Sequence, residues 1–140
     1  APNNVGNNYG SRIYGYIEAP QTGTYYFTIT GDDHSYFYLS SDEDPSNSLL
    51  RAYFNGWTNP TQFNKYTTQR STVINLVAGE RYYFQVLHKE SNGGDHLSVG
   101  WQLPGSSDIV VMDGQYFPEA DIISTCANHR SRRFVHLHRF

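Results

Sequence analysis

A period of two constrains this chain more than anything else in it. Between Thr24 and Thr30 the side chains Tyr25, Phe27 and Ile29 alternate with Tyr26, Thr28 and Thr30. Between His96 and Leu103, Leu97, Val99 and Trp101 alternate with Ser98, Gly100 and Gln102. Alternation of this kind puts one set of side chains on each face of an extended strand. The same reading predicts strands over Arg12–Glu18, Ser35–Ser40 (Phe37 and Leu39 inward), Leu49–Phe54, Ser71–Leu76, Arg81–Lys89 and Ile109–Met112. Gly and Pro punctuate the runs; Ala19-Pro20-Gln21-Thr22-Gly23 is a turn, since Pro cannot donate to a ladder and Gly tolerates positive φ. No segment has a helical period and none repeats. About eight antiparallel strands closing on one core make an all-β, antiparallel β-sandwich with no significant helix.

The apolar material agrees. The chain holds 12 Tyr, 8 Phe and 2 Trp against a single Met, and aromatic side chains favour pleated surfaces. Its 140 residues suit one core and one domain. A mean hydropathy of -0.60 and the lack of an apolar run near ~20 residues argue against membrane insertion. Net charge is -6 over residues 1–120 and +3 over residues 121–140. An acidic body argues against nucleic acid as partner, because phosphate binding needs clustered cations. The expected division is a sandwich over residues 1–120 and a basic tail over residues 121–140. Residues 55–70 carry Trp57, Phe63 and Tyr66, so that long polar stretch reads as a packed excursion from the sandwich. Cys126 is the one cysteine, which excludes an internal disulfide and leaves a free thiol or a bridge to another chain.

Asp32 and Asp33 fall at a strand end, where core packing gives no reason for them. Two carboxylates about 4 Å apart repel by ~1 kcal/mol in water and ~4 kcal/mol at a partly screened site. Hydrogen bonds, a basic partner or a cation offset such repulsion, and no Lys or Arg lies between Arg12 and Arg51. Two readings stand side by side here: a turn cap, with Asp side chains bonding nearby N–H groups, or a cation site. The Asn92-Gly93-Gly94-Asp95 stretch is likewise a hairpin turn or an ion loop. Asp42, Glu43 and Asp44 read as a solvated loop.

The run GYIEAPQTGTYYFTITGDDHSYFYLSSDEDP, then GWTNP, then INLVAGERYYFQVLHKESNGGDHLSVGWQLP, resembles the protective-antigen-type domain, the PA-fourteen family. The shared order is a Gly-Tyr strand, a Pro/Thr-Gly turn, a Tyr-x-Phe strand, the Asp-Asp pair, a Leu-x-Ala-Gly turn, a Tyr-rich strand and a closing Trp strand. The likeness covers roughly residues 10–104, and residues 111–118 resemble the family's trailing segment. It implies a jelly-roll-type β-sandwich found in toxins, glycosidases, fungal adhesins and flocculins, and animal extracellular proteins. The resemblance further implies one calcium ion, held by adjacent aspartates joined through a cis peptide and by a second loop, with sugar hydroxyls completing its shell. On this chain the implied metal ligands are Asp32, Asp33, Asn92, Gly93 and Asp95. Family members usually carry another strand region ahead of the point where this chain starts, so an opening strand is expected to be missing. Residues 121–140 have no counterpart in the family's pattern.

Around the pair, His34, Trp57 and His96 are the candidate ligand-binding side chains, although an exposed His34 with no role is the plainer reading. Trp101 belongs to the core by its alternation. His129, His136 and His138 include a His-x-His, which without a third placed ligand is weak evidence for zinc. The function expected is a calcium-dependent, secreted or cell-surface carbohydrate-binding module with glycans or glycoproteins as partners. The alternative is a structural subunit of an extracellular matrix or filament, a homo-oligomer or polymer joined by strand exchange, Cys126 and residues 121–140. The chain holds no Gly-x-Ser-x-Gly elbow, no His-Glu-x-x-His and no phosphate loop, so an enzyme is not expected.

Overall fold

The computed structural model describes residues 9–90, 96–112, 120–126 and 129–134, with residues 9 and 90 and the last two stretches as backbone only. The strands, in chain order, are β1 (Tyr9–Glu18), β2 (Gly23–Asp32), β3 (His34–Leu39), β4 (Leu49–Phe54), β5 (Ile74–Leu76), β6 (Arg81–Glu90), β7 (His96–Gln102), β8 (Val110–Val111), β9 (Ala120–Cys126) and β10 (His129–Phe134). They form two antiparallel sheets. One runs β10-β9-β1-β6-β3-β4, the other β5-β2-β7-β8. The eight expected strands are β1 to β8, four in each sheet; the described helical turns are 3-10 turns of three residues, Pro45–Asn47 and Thr67–Gln69. The fold is the all-β sandwich that the alternation predicts.

The sandwich continues into residues expected to be a tail. β9 pairs with β1 from Gly10↔Thr125 to Gly15↔Ala120, and β10 pairs with β9 from His129↔Cys126 to Phe134↔Asp121. The outer edge of β1 is a row of N–H and C=O groups that needs a partner, and residues of the same chain supply it.

The core lies between the sheets. Tyr25, Phe27 and Ile29 from β2, Leu97, Val99 and Trp101 from β7, Phe37 and Leu39 from β3, and Ile13, Ile17, Phe84 and Val86 from β1 and β6 are all 1% exposed or less. Ring centroids are 5.3 Å apart for Tyr25–Trp101 and 5.9 Å for Phe27–Trp101 within one sheet. Phe27 and Phe37 meet across the two sheets at 5.2 Å. Contacts of this kind contribute about 0.5–1.5 kcal/mol each beyond area burial. They hold β2 and β3 face to face, and so fix where the turn between them emerges.

Beyond Tyr25, polar residues of the excursion, and Ser71 just after it, line the outer edge of β2. Ser71 N–H donates to Phe27 O at 2.8 Å and Ser71 Oγ accepts from Phe27 N–H at 2.9 Å. Gln69 Nε2 donates to Ile29 O at 2.9 Å. Thr58 N–H donates to Gly31 O at 2.8 Å, and Thr58 Oγ1 accepts from Gly31 N–H at 3.0 Å. Isolated main-chain bonds and side chains replace a continuous ladder here, and the strand expected over Ser71–Leu76 shortens to Ile74–Leu76. Gln69 and Thr58 are buried because an edge backbone group left unpaired costs free energy.

Candidate functional site

β2 ends at Asp32 and β3 begins at His34, so Asp33 alone spans the crossing from one sheet to the other. The Asp32–Asp33 peptide is cis. Its flanking backbone groups are held by β3 and β6: Asp33 N–H donates to Lys89 O at 3.2 Å, and Ser35 Oγ donates to Asp33 O at 3.2 Å. His88 Nε2 lies 2.6 Å from Asp32 O. A carbonyl only accepts, so that nitrogen carries the hydrogen. His88 and Ser35 are buried, whereas both aspartates are half-buried at the rim.

The excursion closes the other side. Asp32 forms an isolated bridge with Trp57. His96 Nε2 donates to Thr58 O at 2.6 Å and ties this segment to β7. A side chain at Gly31 would place its Cβ on Ser35 Oγ and 3.2 Å from His96 O, so glycine is what lets Ser35 stand against this strand.

Asn92, Gly93 and Asp95 lie outside the described residues. The described ends of their segment both meet the aspartates: Lys89 accepts from Asp33 and stands opposite His34 in β3, and His96 stands opposite Asp32 in β2. The short connection that holds three of the expected ligands therefore leaves and rejoins the fold beside the other two. Among the described residues no three His, Cys, Asp or Glu side chains form a metal cluster. Two adjacent carboxylates at a rim are hard oxygen donors, a chemistry that suits calcium.

The model of the PA14 domain matches residues 1–115. The chain belongs to the PA14 domain family. It is 43% identical over 105 residues to mouse N-acetyl-beta-glucosaminyl-glycoprotein 4-beta-N-acetylgalactosaminyltransferase 1, covering 70% of this chain and 10% of that protein. To mouse fibrocystin-L it is 34% identical over 90 residues, 64% of this chain and 2% of that protein. This PA14 domain thus spans a tenth or less of these two curated relatives. Among solved structures it resembles the epithelial adhesin 6 A domain of Candida glabrata in complex with Galb1-3GlcNAc (TM-score 0.59, 18% identity, 79% of this chain and 50% of that one). It also resembles the PA14 sugar-binding domain of an RTX adhesin (TM-score 0.53, 18% identity, 76% of this chain and 51% of that one). At these identities the likeness shows the fold.

The other expected residues of this PA14 domain take distinct places. His34 is half-buried, and its Nδ1 accepts from Gly56 N–H at 3.0 Å. His96 is buried and its Nε2 is engaged by Thr58, which puts it beneath the rim. Trp57 is 50% exposed. One face of its indole carries the Lys65 ammonium, 3.4 Å from the ring centroid, and the same ammonium donates to Trp57 O at 2.8 Å. Neither Lys65 nor His88 is evident from the sequence. Lys65 looks like an ordinary surface charge, and His88 occupies an inward position of a strand otherwise filled by Tyr82, Phe84 and Val86, with no local pattern to mark it.

The acidic loop is solvated, as its sequence predicts. Asp42 and Asp44 are exposed and bonded inside the loop: Asp42 accepts from Asn47 Nδ2 at 2.9 Å and from Asp44 N–H at 2.9 Å, and Asp44 accepts from Ser46 N–H at 2.8 Å. The Asn47 amide first, then the Asp44 N–H, hold the Asp42 carboxyl below its ordinary value, against a smaller opposing effect of desolvation.

Proposed function

We propose that this PA14 domain is a calcium-dependent carbohydrate-binding module of the lectin or adhesin kind, working outside the cell or at its surface. Asp32 and Asp33, with Asn92, Gly93 and Asp95, would hold the ion. The ion, when bound, supplies open positions for vicinal sugar hydroxyls. The chain's own part is orientation. His88, Lys89 and Ser35 fix the backbone that carries the two carboxylates. Trp57, half exposed and with Lys65 against its ring, stands beside them as a candidate stacking surface for a sugar.

The observation that carries this reading is that Lys89 and His96, the described residues on either side of the Asn92–Asp95 stretch, both meet the aspartate pair. The adhesin domains that share the fold, by description sugar-binding or in complex with sugars, support it. A single small, wet site is weak; a millimolar Kd corresponds to about -4 kcal/mol, so adhesion would rest on multivalency. Calorimetric titration with a glycan panel, with calcium and then with chelator, tests the reading. Binding unchanged by chelation refutes it.

The matrix or filament alternative has less behind it. Strand exchange at the place of a missing opening strand would use the outer edge of β1, and that edge pairs with β9 of the same chain. Cys126 ends that strand, and nothing in the structure favours a bridge through it. Nor does the reading assign a catalytic residue: the relative named as a transferase matches over a tenth of its length, and this domain is proposed as a binding part.

A further inference from the structure

A concavity lies on the outer face of the four-stranded sheet, between the excursion and the turn that precedes β8. Its volume is about 360 Å³, and its walls are formed by Tyr26, Phe63, Asn64, Arg70, Gln102 and Ile109, with Thr28 also among its lining residues. That size lies in the range of small-ligand sites. Tyr26 and Asp32 are six residues apart on β2, roughly 20 Å at ~3.3 Å per residue, so this groove and the aspartate rim are separate.

Its charged member is already oriented. The Arg70 guanidinium lies 3.9 Å from the Tyr26 ring centroid, and one Nη donates to Gln102 Oε1 at 2.8 Å. Gln102 is held in turn, its Nε2 donating to Ser107 O at 2.6 Å. Among the described residues no carboxylate pairs with Arg70. A guanidinium has five N–H donors in a planar fork that matches a carboxylate, and Gln102 uses one. Thr28 is 3% exposed, and its hydroxyl has no partner among the described residues. Around the cation stand apolar walls, Phe63 and Ile109, and the amide of Asn64. A fixed cation, an amide and apolar walls suit a compact, hydroxylated ring bearing one carboxylate.

We propose that this groove binds a carboxylate-bearing sugar residue, the carboxylate on Arg70, hydroxyls on Asn64 and Gln102, and the ring against Phe63 and Ile109. The site does not rest on calcium or on the aspartate pair. The test is NMR titration of the whole chain in chelator with methyl glucuronide and with methyl glucoside, which differ only in the carboxylate. The glucuronide is expected to bind at least tenfold more tightly and to shift the amides of Phe63, Asn64 and Gln102. Arg70 is exposed, so Arg70→Met leaves the fold intact and removes at least tenfold of that affinity. Arg70→Lys, which keeps the charge without the fork, removes part of it, and Asn64→Ala a few-fold. The Asp32→Asn, Asp33→Asn double variant binds the glucuronide as the parent does. Equal binding of the two glycosides, full affinity in Arg70→Met, or competition by acetate at the same concentration as the glucuronide each overturns the proposal.

Discussion

Asp42, Glu43 and Asp44 lie as close together in sequence as Asp32 and Asp33, yet the two acidic stretches are held in opposite ways. In the outer loop the carboxylates organise the backbone: Asp42 and Asp44 accept from Asn47, Asp44 and Ser46, all within a few residues. At the rim the backbone is organised from outside, by His88, Lys89 and Ser35, which belong to β6 and β3. Carboxylates that build their own loop have their oxygens engaged locally. Carboxylates on a backbone fixed by others are placed by the fold as a whole, and that is the arrangement a ligand site needs.

The widest gap between the two stretches should appear on removing their supports. His88→Ala deletes the donor to Asp32 O and leaves a cavity where the buried imidazole sat. The lost hydrogen bond contributes about 0.5–1.5 kcal/mol and the cavity adds to it, so a loss of about 2–3 kcal/mol is expected in denaturant unfolding. Asn47→Ala removes an exposed donor from the outer loop and should cost under about 1 kcal/mol. Similar losses in the two variants would mean that the two stretches are held alike.

Calcium should also tell the two stretches apart. With the ion at a hundred times its Kd, a site that binds only the folded chain adds about 2.7 kcal/mol of stability. Asp32→Asn with Asp33→Asn should abolish the calcium-induced rise in melting temperature, while Asp42→Asn with Asp44→Asn should leave it whole. A rise that follows the second pair would move the ion site to the outer loop.

Gly31→Ala probes the same scaffold more gently. The added Cβ falls on Ser35 Oγ, the group that donates to Asp33 O, so the serine must leave that bond or the strand must shift. Overpacking of this kind costs about 1–3 kcal/mol, and the lower end is expected because one hydroxyl can move. Calcium affinity should fall with it; unchanged affinity would mean that the Ser35 contact does not orient the pair.

What the sequence discloses divides along the same line. β2, β3 and β7 are legible because Tyr25, Phe27, Ile29, Phe37 and Val99 alternate with outward residues, and burial acts on that period directly. Asp32 and Asp33 stand out because adjacent like charges at a strand end need an explanation. The edge of β2 is illegible, since Thr58, Gln69 and Ser71 are polar residues whose burial follows from backbone groups that only the fold brings near. His88 meets Asp32 across 56 positions of chain, and no local pattern encodes that distance. β9 and β10 are hidden for a related reason: Arg and His dominate much of residues 129–139, and what makes strands of Ala120–Cys126 and His129–Phe134 is the edge of β1 waiting for them.

The smallest effect concerns protons. Asp42 is held below its ordinary value of 3.8 by the Asn47 amide and then by the Asp44 N–H, so the folded chain binds this proton less readily than the unfolded one. The resulting stabilisation is fully present above the unfolded value and is lost as pH falls through the lower folded value. The group is exposed, so the slope is shallow and confined to the region below about pH 4. Unfolding midpoints measured from pH 5 downward should fall less steeply in Asp42→Asn than in the parent, and Asn47→Ala should reproduce most of that change. If Asn47→Ala leaves the acid slope as it was, the amide is not what holds the carboxylate, and the outer loop is less self-contained than its hydrogen bonds indicate.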